Sequence, residues 1–348
     1  MGVAATSSQT TKTDGAPDFL SAVAALRALT ARDLEAVNAE ILARMQSPVD
    51  MIPEMAGHLI NAGGKRIRPM LTLAAARLIG QDADYDGRHH VALAAAVELI
   101  HGATLLHDDV VDASILRRGA KTANIIWGNK ESVLVGDFIF SRAFELMVAA
   151  KDLRVLQVLS RASSVIAEGE VLQLATQKNI AATVDMYLAV VEAKTAALFA
   201  AAAQAGALIA GAGAAGETAL REYGRNLGVA YQLVDDALDY AGAEGALGKS
   251  VGDDFREGKM TLPVVYAVDR AAPEEKPFWR RVIAEGRVEA EDFDRARELM
   301  QRDNAIADTI ALARRYAKAA IDNLSEVPRN EYSAALADLV ESSVSRAF

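Results

Sequence analysis

Leu105-Leu106-His107-Asp108-Asp109-Val110-Val111-Asp112 and Gln232-Leu233-Val234-Asp235-Asp236-Ala237-Leu238-Asp239 spell one pattern twice. Each is D-D-x-x-D set in apolar sequence. On an α-helix, residues four apart share a face, and the next residue stands about 100° round. Asp108 and Asp112 therefore project together, as do Asp235 and Asp239. Like charges at this spacing weaken a helix, and carboxylates beside a core are costly unless paired or metal-bound. A solvated acidic face normally carries mixed charge around it. These acids are flanked by Leu, Val and Ala instead. The pattern points to a hard cation held by oxygen ligands, and Mg²⁺ with substrate phosphates suits that donor set.

Helical spacing extends outward from both segments. Leu34, Val37, Ile41 and Met45 step by three or four residues. So do Leu71, Ala74, Ala75 and Leu78, then Leu93, Val97 and Ile100, and later Val155, Val158, Leu159 and Ile166. Sustained β-branched alternation is absent, and alanine is the strongest helix former. The reading is all-α, a single-domain bundle of about a dozen helices around a central core. Residues 1–18 are rich in Ser, Thr, Ala, Gly and Pro and read as a disordered tail, with one domain over 19–348. Breaks fall at Gly63-Gly64, Asp82–Gly87, Arg117–Gly119, Gly211–Gly216 and Ala241–Pro263.

Composition narrows the function. Among 348 residues, 37 Lys+Arg face 47 Asp+Glu, a net charge of −10, and there is no cysteine. That excludes a disulfide scaffold, a thiol nucleophile and cysteine-ligated metals. The acidic balance argues against nucleic-acid binding, which needs a basic footprint. The uncharged run Thr195–Gly216 is long enough to raise a membrane span, yet it is mostly Ala and Gly, and a closely packed buried helix is expected. Gly211-Ala212-Gly213-Ala214-Ala215-Gly216 spells the dinucleotide fingerprint, but no strand precedes it, so it reads as a helix–helix corner. Gly248-Lys249-Ser250 looks like the end of a P-loop, but Ala243 stands where its first glycine belongs. Lys249 is kept as a phosphate contact.

Basic residues complement the acids. Gly63-Gly64-Lys65-Arg66-Ile67-Arg68-Pro69 puts Lys65 and Arg68 at an expected helix start, a setting that favours anions. Arg117-Arg118-Gly119 follows the first acidic segment closely, and Lys249 and Lys259 lie in the long loop. Together they suggest two anionic groups, one bridged to carboxylates through Mg²⁺ and one held directly. Of the five histidines, His107 reads as a structural neighbour, whereas His101 stands where it could reach an anion.

With Val135-Gly136-Asp137-Phe138, Glu168-Gly169-Glu170, Lys194-Thr195 and the Lys259 to Pro263 segment, in this order from about residue 30 onward, the chain resembles the trans-isoprenyl (polyprenyl) diphosphate synthases, nearest the bacterial octaprenyl/decaprenyl type. The resemblance implies an all-α fold around a deep cavity with the two acidic helices at its mouth. It implies that Asp108, Asp112 and Asp235 ligate about three Mg²⁺ with the allylic diphosphate, supported by Asp109, Asp236 and Asp239. Arg117, Lys194, Thr195 and Gln232 would contact that diphosphate, and Lys65, Arg68, His101 and Arg118 would hold isopentenyl diphosphate. Lys249 and Lys259 would close over the leaving group. Farnesyl diphosphate is the expected primer. A cytoplasmic homodimer without a membrane span, touching a membrane only for product release and serving a quinone side chain, completes the family expectation. The alternatives are a shorter geranylgeranyl-type synthase, a non-catalytic subunit of a heteromeric synthase and a dinucleotide enzyme.

Product length is sought one turn before Asp108. Ala103 and Thr104 are small, where short-chain relatives carry aromatic plugs, so a long product of about C40–C50 is expected. Phe140, Phe144 and Met147, at i, i+4 and i+7, are candidates for a deeper floor.

Overall fold

The computed structural model describes residues 17–80, 88–241 and 252–346. Of the expected tail only Pro17 and Asp18 are described, and Lys249 lies outside the described residues. The fold is helical, as the spacing predicts. One hairpin of two-residue strands departs from it, pairing Leu116 with Lys121 and Arg117 with Ala120.

The helices Ile67–Gly80 and Ala197–Ile209 form the centre. Each buries residues around most of its circumference, as a helix covered on several sides must. Ala197–Ile209 packs against Ile67–Gly80, Leu153–Thr176 and Ala214–Ala241. Its backbone approaches closely: a Cβ on Gly206 would lie 2.2 Å from the Thr72 carbonyl oxygen. That approach is what the Ala- and Gly-rich run serves. The segments His89–Val111 and Val184–Ile209 are long and apolar enough to cross a bilayer, but both contribute to the packed interior. The Gly211 corner joins Ala197–Ile209 to Ala214–Ala241, and no strand leads into it.

Two long helices carry the acidic motifs. The first acid helix, Arg88–Val111, packs on Asn129–Ala149 and on Ile67–Gly80. The second acid helix, Ala214–Ala241, is backed by Ala305–Asn323. Beyond its end, a satellite cluster forms around Tyr240, Phe255, Trp279, Ile283 and Met300. At the opposite side the terminal helices Phe19–Leu29 and Glu331–Ser345 pack together, so both ends of the described chain meet.

Candidate active site

A cavity of about 1520 Å³ opens between the acid helices. Its wall carries Asp108 and Asp112 from the first, and Gln232, Asp235, Asp236 and Asp239 from the second. Lys65, Arg68, His101, Arg117, Arg118, Lys194, Thr195 and Lys259 also line it. Residues spread over nearly two hundred positions of sequence thus share one space.

The first motif is held by an arginine. The turn at Arg118-Gly119, with φ of 53° and 80°, folds the hairpin back toward the helix. Arg117 then forks onto the Asp109 carboxylate, with Nη2 to Oδ1 at 2.7 Å and Nε to the same oxygen at 3.0 Å. Asp109 is buried behind the cavity wall, which frees Asp108 and Asp112 to face inward. Burial pushes the Asp108 carboxyl up to about 6, against the attraction of Lys194. Asp112 accepts from Lys259 Nζ at 3.4 Å, and the same ammonium lies 2.6 Å from Glu257. Burial opposes its charge, but Asp254, Asp112 and Glu257 outweigh burial and hold Lys259 above its ordinary value.

The second motif is held by neutral donors. Asp236 accepts from the Tyr187 hydroxyl at 2.6 Å and from Gln232 Nε2 at 2.8 Å. Thr195 in turn donates to Gln232 Oε1 at 3.0 Å. Asp239 accepts from the backbone N–H groups of Gly252 and Asp254, at 3.2 and 3.3 Å. Burial, with the Asp254 carboxylate nearby, pushes Asp236 and Asp239 up to about 7. Asp235 pairs with the Arg346 guanidinium at 2.6 Å.

Lys194 sits in a π-helical turn, Glu192–Ala196, a distortion common at functional sites. It reaches Glu170 at 2.7 Å. Gly169 permits the approach, since a Cβ there would lie 2.9 Å from the Lys194 backbone nitrogen. Opposite, Arg68 Nη1 stands 3.1 Å from His101 Nε2. Burial, together with Arg68 and Arg118, holds His101 well below its ordinary value. The imidazole is therefore neutral and accepts through Nε2. Arg68 Nε is buried without a partner among the described residues. Arg118 donates to the Gly63 carbonyl and Arg66 pairs with Glu98.

Ala103 and Thr104 do not line the cavity. Ala103 is 1% exposed in the main core, and the Thr104 hydroxyl donates to the His101 carbonyl. Five residues along a helix turn about 140° away, so Ala103 does not share the Asp108 face. From the turn before Asp108, Leu105 and His101 reach the wall. Phe140 and Phe144 pack edge to face at 5.3 Å, with Met147 buried beyond, also off the wall. The sequence reading missed Tyr187, Asp254 and Arg346. Asp253-Asp254 shortly before Lys259 was a visible signal; a lone tyrosine and an arginine near the last residue gave none.

The donor set fits Mg²⁺. Among the described residues no three acid or imidazole groups form a closed metal cage. Mg²⁺ takes one or two carboxylates and completes its shell with phosphate and water. Burial, with neighbouring carboxylates after it, pushes Asp108, Asp236 and Asp239 up to about 6 and 7, and a bound divalent cation would favour their charged forms.

Comparison with known proteins agrees with this geometry. The family model described as polyprenyl synthetase matches residues 49–300. The octaprenyl diphosphate synthase of Escherichia coli K12 is 50% identical over 258 residues, 74% of this chain and 79% of that protein. The polyprenyl synthase of Caulobacter crescentus CB15, solved with calcium and isoprenyl diphosphate, is 53% identical with a TM-score of 0.89, covering 94% of this chain and 98% of that one. The decaprenyl diphosphate synthase of Rhodobacter capsulatus is 49% identical with a TM-score of 0.89, covering 94% and 99%. With its motifs gathered on one cavity, the chain belongs to the polyprenyl synthetase family and is a trans-prenyltransferase.

Proposed function

We propose that the cavity joins an allylic diphosphate, such as farnesyl diphosphate, to successive isopentenyl diphosphates. The product is a long all-trans polyprenyl diphosphate of about C40–C50, built with Mg²⁺. One observation carries the reading. Two acid helices face one cavity whose remaining wall bears a separate basic cluster, so two anions of different attachment fit side by side.

Asp108, Asp112 and Asp235 would hold about three Mg²⁺ at the allylic diphosphate, with Asp109, Asp236 and Asp239 as support. Bound Mg²⁺ supplies Lewis-acid stabilisation of the charge that grows on the leaving diphosphate. Arg117, Lys194 and Lys259 stand on the cavity wall, paired with Asp109, Glu170 and Glu257, and would turn toward the same oxygens to offset their growing charge. Thr195 and Gln232 orient that diphosphate, and Lys249 belongs to the same contact set. Lys65, Arg68 and Arg118 hold isopentenyl diphosphate directly, and neutral His101 fixes Arg68 by accepting its N–H. The allylic C–O bond breaks, the isopentenyl double bond attacks the allyl cation, and the departing diphosphate takes the lost proton. Leu105, Met186, Val190, Val191 and Phe199 line the cavity and exclude water that would quench the cation.

The long product in this proposal rests on the similarity to the octaprenyl and decaprenyl diphosphate synthases. We extend the proposal to a cytoplasmic homodimer making a quinone side chain, which touches a membrane only to release product. Exposed Ile125, Ile126, Val133 and Leu134 give a face that a second copy would cover. Incubation with farnesyl diphosphate, isopentenyl diphosphate and Mg²⁺, followed by chromatography of the lipids, tests the function. Extended products in the C40–C50 range are expected. No extended product overturns the reading, and a product stopping at C20 shifts it to the shorter-chain type.

A further inference from the structure

Phe19 opens the helix Phe19–Leu29, capped by Asp18, and is 7% exposed. Its ring lies between two cations. Lys65 Nζ is 4.9 Å from the ring centroid, and the Arg346 guanidinium carbon is 5.0 Å from it. Arg346 also covers Tyr231 at 4.2 Å. The Tyr231 ring is 5.9 Å from Phe199, which Arg68 covers at 4.6 Å. Lys65, Phe19, Arg346, Tyr231, Phe199 and Arg68 therefore form one continuous stack of cations and rings.

Hydrogen bonds fix the middle and one end of the stack. Arg346 Nη2 donates to the Tyr231 carbonyl at 3.0 Å and pairs with Asp235 at 2.6 Å. Arg27, on the same helix as Phe19, donates to the Lys65 carbonyl at 3.2 Å. Lys65, Arg68, Tyr231 and Asp235 line the cavity, whereas Phe19 and Arg346 stand behind it. Cations gathered this closely repel one another. Burial, and then Arg346, hold the Lys65 ammonium below its ordinary value, and burial does the same to Arg68. Aromatic faces offset part of that repulsion, most where water is excluded. A cluster held in place before its anion arrives binds without paying to order its side chains.

We propose that Phe19 and Arg346 are positioning residues that tie the first and last helices into this stack and hold Lys65 and Arg68 ready for the diphosphate of isopentenyl diphosphate. The proposal rests on the preceding assignment of Lys65 and Arg68. It adds two residues that touch no substrate, one near each end of the described chain. Arg346 also links this cluster to the second acid helix through Asp235.

The test uses the full chain with Phe19→Leu, which keeps apolar volume and loses the ring face, and Phe19→Trp, which keeps the face. F19L should raise KM for isopentenyl diphosphate about tenfold. Its kcat and its KM for the allylic diphosphate should stay within about twofold of the parent. F19W should recover most of the loss, with Tm similar in all three. An unchanged KM for isopentenyl diphosphate overturns the proposal, as does an equal change in both KM values, which would mean general loosening. Should F19L fail to fold, Phe19→Met against Phe19→Tyr carries the same test, with the tyrosine variant recovering the selective loss. Binding separates this proposal from the functional one. Inorganic diphosphate titrated calorimetrically in the presence of EDTA reports the metal-independent basic cluster. F19L should weaken it about tenfold, and equal binding by parent and variant overturns the stack. If the parent binds diphosphate in this way and F19L does not, yet no prenyl product forms, the stack stands and the synthase reading falls.

Discussion

The two acid helices carry the same lettered pattern and secure it by opposite means. In the first, Arg117 forks onto Asp109, so one buried carboxylate already has its counter-charge. In the second, the corresponding Asp236 has only a tyrosine hydroxyl and a glutamine amide, and Asp254 adds a further negative charge. The first motif therefore keeps a fixed ion pair behind the raised carboxyl of Asp108. The second holds two raised carboxyls, Asp236 and Asp239, and a third, Asp235, shared with Arg346. Equal spacing decides which residues share a face. The neighbours brought by the rest of the chain decide how much negative charge each face retains.

That contrast can be broken most severely at the inward carboxylates. Asp108→Ala and Asp235→Ala should each lower kcat/KM about a thousandfold in a prenyl-transfer assay, because each removes an oxygen ligand for the Mg²⁺ that would stabilise the leaving diphosphate. The outer pair should then separate the motifs by sign. Asp109→Asn leaves Arg117 without its counter-charge and should cost about 3 kcal/mol in denaturant unfolding. Asp236→Asn keeps an acceptor for Gln232, turns the Tyr187 hydroxyl from donor to acceptor of the amide N–H, and removes a buried charge. It should stabilise the metal-free protein by about 1 kcal/mol, raising Tm by about 3 °C, while lowering activity.

Acid should reproduce the effect of Asp236→Asn reversibly. Asp108, Asp236 and Asp239 have folded values above the ordinary 3.8, so the protonated forms favour folding. Their contribution is complete below 3.8 and is lost as pH rises through about 6 and 7. Asp33 behaves in reverse. Burial would raise it, but hydrogen bonds from His90 and Arg77 hold it well below the ordinary range. Its contribution is present above 3.8 and lost as pH falls toward its lowered value. Melting curves of metal-free protein should show both limbs, and Mg²⁺ with diphosphate should flatten the alkaline one alone. The smallest effect is expected at Tyr187→Phe. Losing one donor to Asp236 should lower kcat about fivefold and raise the Mg²⁺ concentration needed for half-maximal rate.

Much of this site was legible in the letters. Every basic or acidic candidate among the described residues lines the cavity except Asp109, and Thr195 and Gln232 line it as well. The helices followed from spacing, because a buried stripe has to repeat with the helix period. Ala103 shows where that logic stops. Five residues, about 1.4 turns, put Ala103 one level from Asp108 along the helix but on a different side of it. Tyr187, Phe19 and Arg346 show a different limit, since their partners Asp236, Lys65 and Asp235 lie tens or hundreds of residues away.

By itself, the sequence determined that the chain is helical, that two faces carry clustered carboxylates, and that separate basic groups accompany them. Those properties depend on neighbours within a few turns. Only the tertiary structure decided which carboxylates are paired, which are pushed up to about 7, and which cations stand behind the wall. Burial and charge act through space at distances of a few ångströms, and distance in space is set by packing between helices that are far apart in the chain.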